Sequence, residues 1–121
     1  MPAVNYTDAA LSGTLIKTNA VWNTAWTAGS ADAIDQTMIQ FGTGLHLGTY
    51  YIFRAAVLFD TSAIPAGAII LDAKIWLYCT ATHYYPNFQV VVESGMPTYP
   101  HNPVVVTDYD KTFYKIGRAH V

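Results

Sequence analysis

Charge is scarce in this chain. Only 12% of its 121 residues are Asp, Glu, Lys or Arg, about half the usual share of roughly 25%. A chain so poor in charge, yet 52% hydrophobic and 14% aromatic, is not a disordered polar segment, because such segments have the opposite composition. Six Lys and Arg stand against eight Asp and Glu. No basic field is therefore available to hold a phosphate backbone, which excludes nucleic acid as an expected partner. Long apolar runs are missing too: nothing approaches the ~20 consecutive residues of a membrane-spanning helix. Residues 1–6 also lack the basic-then-apolar start of a secretory signal.

Cysteine occurs once, at Cys79, so no internal disulfide is possible and the redox compartment stays open. Cys79 falls in the apolar run 75–79, where a small buried thiol is the expected role. A nucleophilic thiol would need a base and a cationic environment. The nearest histidine in sequence, His83, lies across an expected turn. Neither a Gly-rich phosphate loop nor a Gly-x-Ser-x-Gly elbow is present.

What the chain has is strand signal. Residues 11–17 form a short β-compatible run, and residues 37–41 alternate weakly before Gly42-Thr43-Gly44, which reads as a turn. The strongest element is 50–60. There Phe53, Ala55, Val57 and Phe59 share one face, and Tyr50, Ile52, Arg54, Ala56 and Leu58 share the other. With both faces largely apolar, it is expected to be a central strand packed on both sides. Asp60, Ile64-Pro65 and Gly67 then bend the chain. A second long strand, 68–79, is expected to adjoin the first across that bend. Residues 88–93 read as a half-buried strand, Pro97, Pro100 and Pro103 as an extended loop, and 104–106 as a short final strand. No helical period persists over a usable length. The expected fold is therefore all-β, an antiparallel jelly-roll-like sandwich in one domain.

The last six residues, Ile116-Gly117-Arg118-Ala119-His120-Val121, match the translation of a common sequencing adapter up to its stop codon. Residues 1–115 are accordingly expected to form a single truncated β-sandwich domain, and 116–121 to be foreign to it. A sandwich cut short in this way should expose strand edges and apolar faces and tend to associate.

Residues 51–78 resemble the signature of the DNRLRE family, in which an Arg precedes an apolar run ending in Phe-Asp, followed by a Ser/Ile-Pro turn and an Ala-x-Leu-x-Leu-Tyr strand. Arg54, Phe59-Asp60, Ile64-Pro65, Ala73, Ile75, Leu77 and Tyr78 stand at the matching places. The resemblance implies a jelly-roll β-sandwich similar to carbohydrate-binding modules, in secreted, cell-surface or virion-associated proteins. It also implies roles in display and adhesion, with no agreed catalytic centre. Other domains of a larger chain, and glycans, are the partners that follow from it.

Candidate residues fall into two sets. Arg54 and Asp60 lie six residues apart on one expected strand, about 20 Å, so they cannot pair with each other. Asp60 has turn amides to accept. Arg54 requires a carboxylate or a cluster of carbonyls on a neighbouring strand, since an unpaired buried guanidinium is costly. Both are expected to be polar anchors of the fold. The second set, Trp22, Trp26, Tyr50, Tyr51, Tyr84, Tyr85 and Tyr99, lies in or beside expected loops, and Trp22, Trp26, Tyr84 and Tyr85 among them are the candidate ligand surface. Trp22 and Trp26 face the same way on an extended chain, and such rings can lie flat on the apolar face of a sugar. Core filling and an assembly surface remain open as other uses of the same rings.

No cofactor is expected. Calcium would need about six to eight oxygen ligands, whereas Asp32, Asp35, Asp108 and Asp110 read as solvated loop acids. His46, His83 and His101 lack zinc-ligand spacing, and no acid pair is marked out for glycoside hydrolysis. Asn5-Tyr6-Thr7 is a glycosylation sequon that matters only in a secretory setting. The chain is thus read as a non-catalytic structural and adhesion module, with a carbohydrate-binding module as the alternative.

Overall fold

The computed structural model describes residues 12–72, 74, 91–95 and 98–116. Two β-rich segments build the centre of the structure. Strand β1 (Gly13–Asn19) pairs antiparallel with the strand Thr49–Ala56 along its whole length, from Gly13 opposite Ala56 to Asn19 opposite Tyr50. A short strand β2 (Ala33–Asp35) flanks β1 on its other side, and β3 (Gly42–His46) flanks Thr49–Ala56, which is β4. The four-stranded sheet therefore runs β2-β1-β4-β3, antiparallel throughout. Among the described residues a second sheet has two strands, β5 (Glu93–Ser94) and β6 (Lys115–Ile116). The body is all-β with little helix.

The period-two pattern of β4 sorts the faces. Leu15, Ile52 and Ala56 are buried on one face. They pack with Ala25, Ala31, Val104 and Tyr109 into the core. Each fully buried Leu or Ile contributes roughly 1.5–3 kcal/mol. A five-residue helix, α1 (Trp22–Trp26), and a 3-10 turn, Val106–Tyr109, contact the β1–β4 pair. On the opposite face Ile16, Tyr51, Phe53 and Ala55 are half-buried. The Tyr51 and Phe53 rings lie near-parallel there, 6.5 Å between centroids.

Several expectations need correction. The segment 37–41 is not a strand: the buried Thr14 hydroxyl donates to Met38 O at 2.8 Å and accepts from Gln40 N–H at 2.8 Å, a side-chain tether in place of a ladder. Gly42-Thr43-Gly44 is not a turn but the start of β3, an exposed edge strand with no side chains to pack around its glycines. The turn comes later, at Leu47 (φ 49°) and Gly48 (φ 77°). Two positive φ values between paired His46 and Thr49 make it a type I′ hairpin turn. β4 stops at Ala56 because Leu58 turns to Ser12, whose hydroxyl accepts its N–H at 2.8 Å and donates to its carbonyl at 3.3 Å.

Among the described residues β1 and β3 occupy the two edges of β4, and none of 68–72, the described start of the strand expected across Ile64-Pro65, pairs with it. After the bend, closed by Ala68 N–H on Pro65 O at 3.1 Å, residues 68–72 carry no strand and Ile69 is 83% exposed. Residue 73 and residues 75–90, with Cys79, His83, Tyr84 and Tyr85, lie outside the described residues. Of the strand expected at 88–93, Glu93 is the described residue in a ladder. Residues 104–106 are not a strand either: Val104 is buried in the core and Val106 opens the 3-10 turn.

Leucine is an unusual occupant of the first I′ turn position, where the left-handed region costs a β-carbon about 1–2 kcal/mol. Leu47 is 91% exposed and has little packing to lose. Leu47→Asn should therefore stabilise the chain by about 1 kcal/mol, measured as a higher urea midpoint with an unchanged slope. A lower midpoint would contradict this account of the turn.

Candidate functional site

The site begins where β1 ends. Asn19 Oδ1 accepts the Val21 N–H at 2.8 Å, a local turn that swings the chain off the strand and into α1. A helix of five residues cannot hold itself in water, and its last carbonyls have no partner within it. Two of them are taken by distant groups. Ala25 O accepts from the buried Tyr109 hydroxyl at 2.7 Å, and Trp26 O accepts from Arg54 Nη2 at 2.8 Å. Arg54 Nη1 donates in turn to Tyr109 O at 2.5 Å. One guanidinium on β4 thereby ties the end of α1 to the 3-10 turn.

The same guanidinium lies over two rings, 3.9 Å from the Tyr109 centroid and 4.9 Å from that of Trp26. Its acceptors are carbonyls, as its burial demands, but they come from α1 and the 3-10 turn rather than from a neighbouring strand. Burial pushes its pKa below the usual value, and it stays charged at neutral pH. Glu93 and Asp110 add favourable negative charge nearby.

Beyond Arg54 the aromatic column continues outward. Trp22 and Trp26, four residues apart, share one side of α1. They lie on a helix, not on the extended chain that the sequence suggested. Their rings are near-parallel, 16° between planes and 5.7 Å between centroids. That separation exceeds the ~3.5–4.0 Å of atoms in contact, so the two rings are not in full face-to-face contact, and Trp26 has the Arg54 guanidinium over its ring as well. Each residue is 39% exposed. Tyr50 meets Trp22 at 75° and 5.6 Å. Leu45, opposite Tyr50 on β3 and on the same sheet face, is 62% exposed. Trp22, Trp26, Tyr50 and Leu45 thus form an aromatic and aliphatic ledge at the hairpin end of the sheet.

Asp60 belongs elsewhere. It accepts the Ser62 N–H at 3.0 Å in its own turn, and hydrogen bonds from the Ser62 hydroxyl and then its N–H lower the Asp60 pKa. Asp35 and Asp110 make the same kind of turn with Thr37 and Thr112. Asp32 joins Lys17 Nζ at 2.8 Å and accepts the Thr18 N–H at 2.9 Å. Among the described residues no group of three His, Cys, Asp or Glu could hold a metal ion.

Asp108 departs from the reading as a solvated loop acid. Its side chain is 0% exposed because it organises the backbone around it. It accepts the Val105 N–H at 2.8 Å and the His101 N–H at 3.1 Å, and lies 2.6 Å from His101 Nδ1. Asp108 stands three residues after Val105, which precedes the 3-10 turn, the spacing at which an acid reaches back to a capping amide. That spacing is the one sequence signal for its role. The Tyr114 hydroxyl donates to Asp108 O at 2.8 Å, so Tyr109 is set in place from the residue beside it. Tyr109 itself carries no such signal.

Two outcomes test this arrangement. Arg54→Lys keeps the charge but loses the planar fork that serves two carbonyls and two rings, and should cost about 1–2 kcal/mol in chemical denaturation; an unchanged midpoint would show the fork to be dispensable. The phenols supply a pH test. Burial raises the pKa of both Tyr109 and Tyr114 above the usual tyrosine value, so the unfolded chain ionises first. Their contribution is complete below about pH 10 and is lost as pH rises further. The melting temperature should hold from neutral pH to about pH 9.5 and then fall, with a smaller fall in Tyr114→Phe. A flat profile through about pH 11 would contradict the burial of these hydroxyls.

No family model, curated protein or solved structure matches the chain, and the functional reading therefore rests on the geometry of the ledge.

Proposed function

We propose that the chain is a non-catalytic, jelly-roll-like β-sandwich module of a larger extracellular or virion-surface protein, serving structure and adhesion. The all-β body and the DNRLRE-like segment 51–78 are consistent with that class. The observation that carries the reading is the ledge. Trp22 and Trp26 are large apolar rings left partly in water, yet held in one orientation by a helix that is fastened through Arg54 and Tyr109. Preorganised exposed aromatics of this kind suit a contact surface, where tryptophan is among the residues that contribute most to binding.

The partial exposure of the two near-parallel indoles favours a second reading, a carbohydrate-binding module. Large rings left 39% exposed can contact the apolar side of a sugar. Both readings use the same residues and differ in what they touch.

The test is adhesion of the full chain, displayed on beads, to surfaces coated with glycans or with proteins. Wild type should adhere, and Trp22→Ala and Trp26→Ala should each weaken adhesion by about tenfold or more without altering the far-ultraviolet circular dichroism. Adhesion confined to glycan surfaces selects the carbohydrate reading. Equal adhesion by wild type and both variants on every surface, or hydrolysis of a coated glycan, contradicts the proposal.

A further inference from the structure

The outer edge of β3 is open among the described residues: there β3 pairs with β4 alone, and all five of its residues are exposed. Its register with β4 is one-to-one without a bulge, from Gly42 opposite Phe53 to His46 opposite Thr49. In a two-residue hairpin the closing pair exchanges hydrogen bonds, and alternate residues then point their amides outward. His46, Gly44 and Gly42 bond inward to β4. Thr43 and Leu45 therefore direct their N–H and C=O groups to the free edge. Natural edges are protected by Pro, Lys, bulges or inward charge, and β3 carries none of these. β2, the other edge, is only three residues long.

We propose that β3 pairs antiparallel with β3 of a second copy of this chain, about a two-fold axis through Gly44. The strand is self-complementary in that register. Thr43 meets the second copy's Leu45 in a hydrogen-bonded pair, and Leu45 meets its Thr43, so all the outward groups find partners. Gly42 meets His46, small against large, with no like charges opposed. Gly44 meets Gly44 as a non-hydrogen-bonded pair, where the backbones come closest, at about 4.5 Å between α-carbons. The axis stands perpendicular to the sheet, so both copies turn the face carrying Trp22 and Trp26 the same way. The pairing itself does not depend on what that ledge binds. An edge of five residues buries less than the ~1,200 Å² of a standard stable interface, so the dimer is weak and depends on concentration.

Gly44 is also the place to test it. An added β-carbon there meets nothing within 4 Å and no positive φ opposes it, so a side chain is tolerated by the monomer but falls on the axis of the dimer. Sedimentation of the full chain up to about 1 mM should show monomer giving way to dimer. Gly44→Lys, which sets two ammonium groups against each other, should weaken the dimer about tenfold or more with an unchanged circular dichroism spectrum. In a Cys79→Ser background, Gly44→Cys should form a disulfide-linked dimer on mild oxidation, whereas Leu47→Cys at the hairpin tip should not. Monomer at every concentration would overturn the proposal. So would association indifferent to Gly44→Lys, open-ended polymers in place of dimers, or equal crosslinking at Gly44→Cys and Leu47→Cys.

Discussion

A guanidinium drawn half out of water must be met by acceptors, and the position of Arg54 on β4 decides where they come from. Trp26 O lies 28 residues away in sequence and Tyr109 O lies 55 away. Both belong to segments that would not hold their shape alone. α1 is too short to persist in water, and a 3-10 turn of four residues is no more self-sufficient. By satisfying the last carbonyl of one and a carbonyl of the other, Arg54 makes each segment a lid on the same sheet face. Without the guanidinium, the part-buried Tyr109 carbonyl would lose its donor, at about 1–3 kcal/mol, and the exposed Trp26 carbonyl would lose its tie to the sheet.

The remaining polar contacts extend that constraint. Tyr109 returns a hydrogen bond to Ala25 O, so helix and turn are joined directly as well as through Arg54. Asp108, buried beside it, gathers the amides of His101 and Val105 and orients the turn that presents Tyr109. Every buried side-chain polar atom among the described residues has a hydrogen-bond partner, as a low-dielectric interior requires. The result is a small apolar core closed by a polar clasp, with the indoles of Trp22 and Trp26 projecting from the outside of the clasp. Function, on this account, lives on the ledge, while its rigidity is set on the sheet.

The sequence showed the parts whose physics is local. Period two in 50–56 reveals the faces of β4, because Ile52 and Ala56 are apolar on the side that the core takes up. The need of Arg54 for acceptors is also legible from its place in an apolar run, but the identity of those acceptors is not, since the partners are far along the chain. β3 is illegible for the opposite reason: an exposed edge makes no demand on side chains, so Gly42 and Gly44 look like a turn when they are a strand. α1 is hidden by its shortness. Trp22 and Trp26 share a side in both readings because a separation of four is in phase with a helix and with a strand alike, and the pairing was therefore visible although the element was not. Asp108 looked like any loop acid apart from its spacing from Val105, and only the folded chain brings His101 to it.

Amide hydrogen exchange tests the central claim most directly. The N–H groups of Ala25 and Thr27 bond to Val21 O and Asn23 O within and at the end of α1, a helix that has no protection of its own to offer. If Arg54 holds α1 in place, these amides are protected in the wild type. In Arg54→Met they exchange at close to the unprotected rate, while the amides of Leu15 and Lys17 in the β1–β4 ladder stay protected. Protection of Ala25 and Thr27 that survives removal of the guanidinium, or a ladder lost together with them, would show that Arg54 is not what fastens the ledge to the sheet.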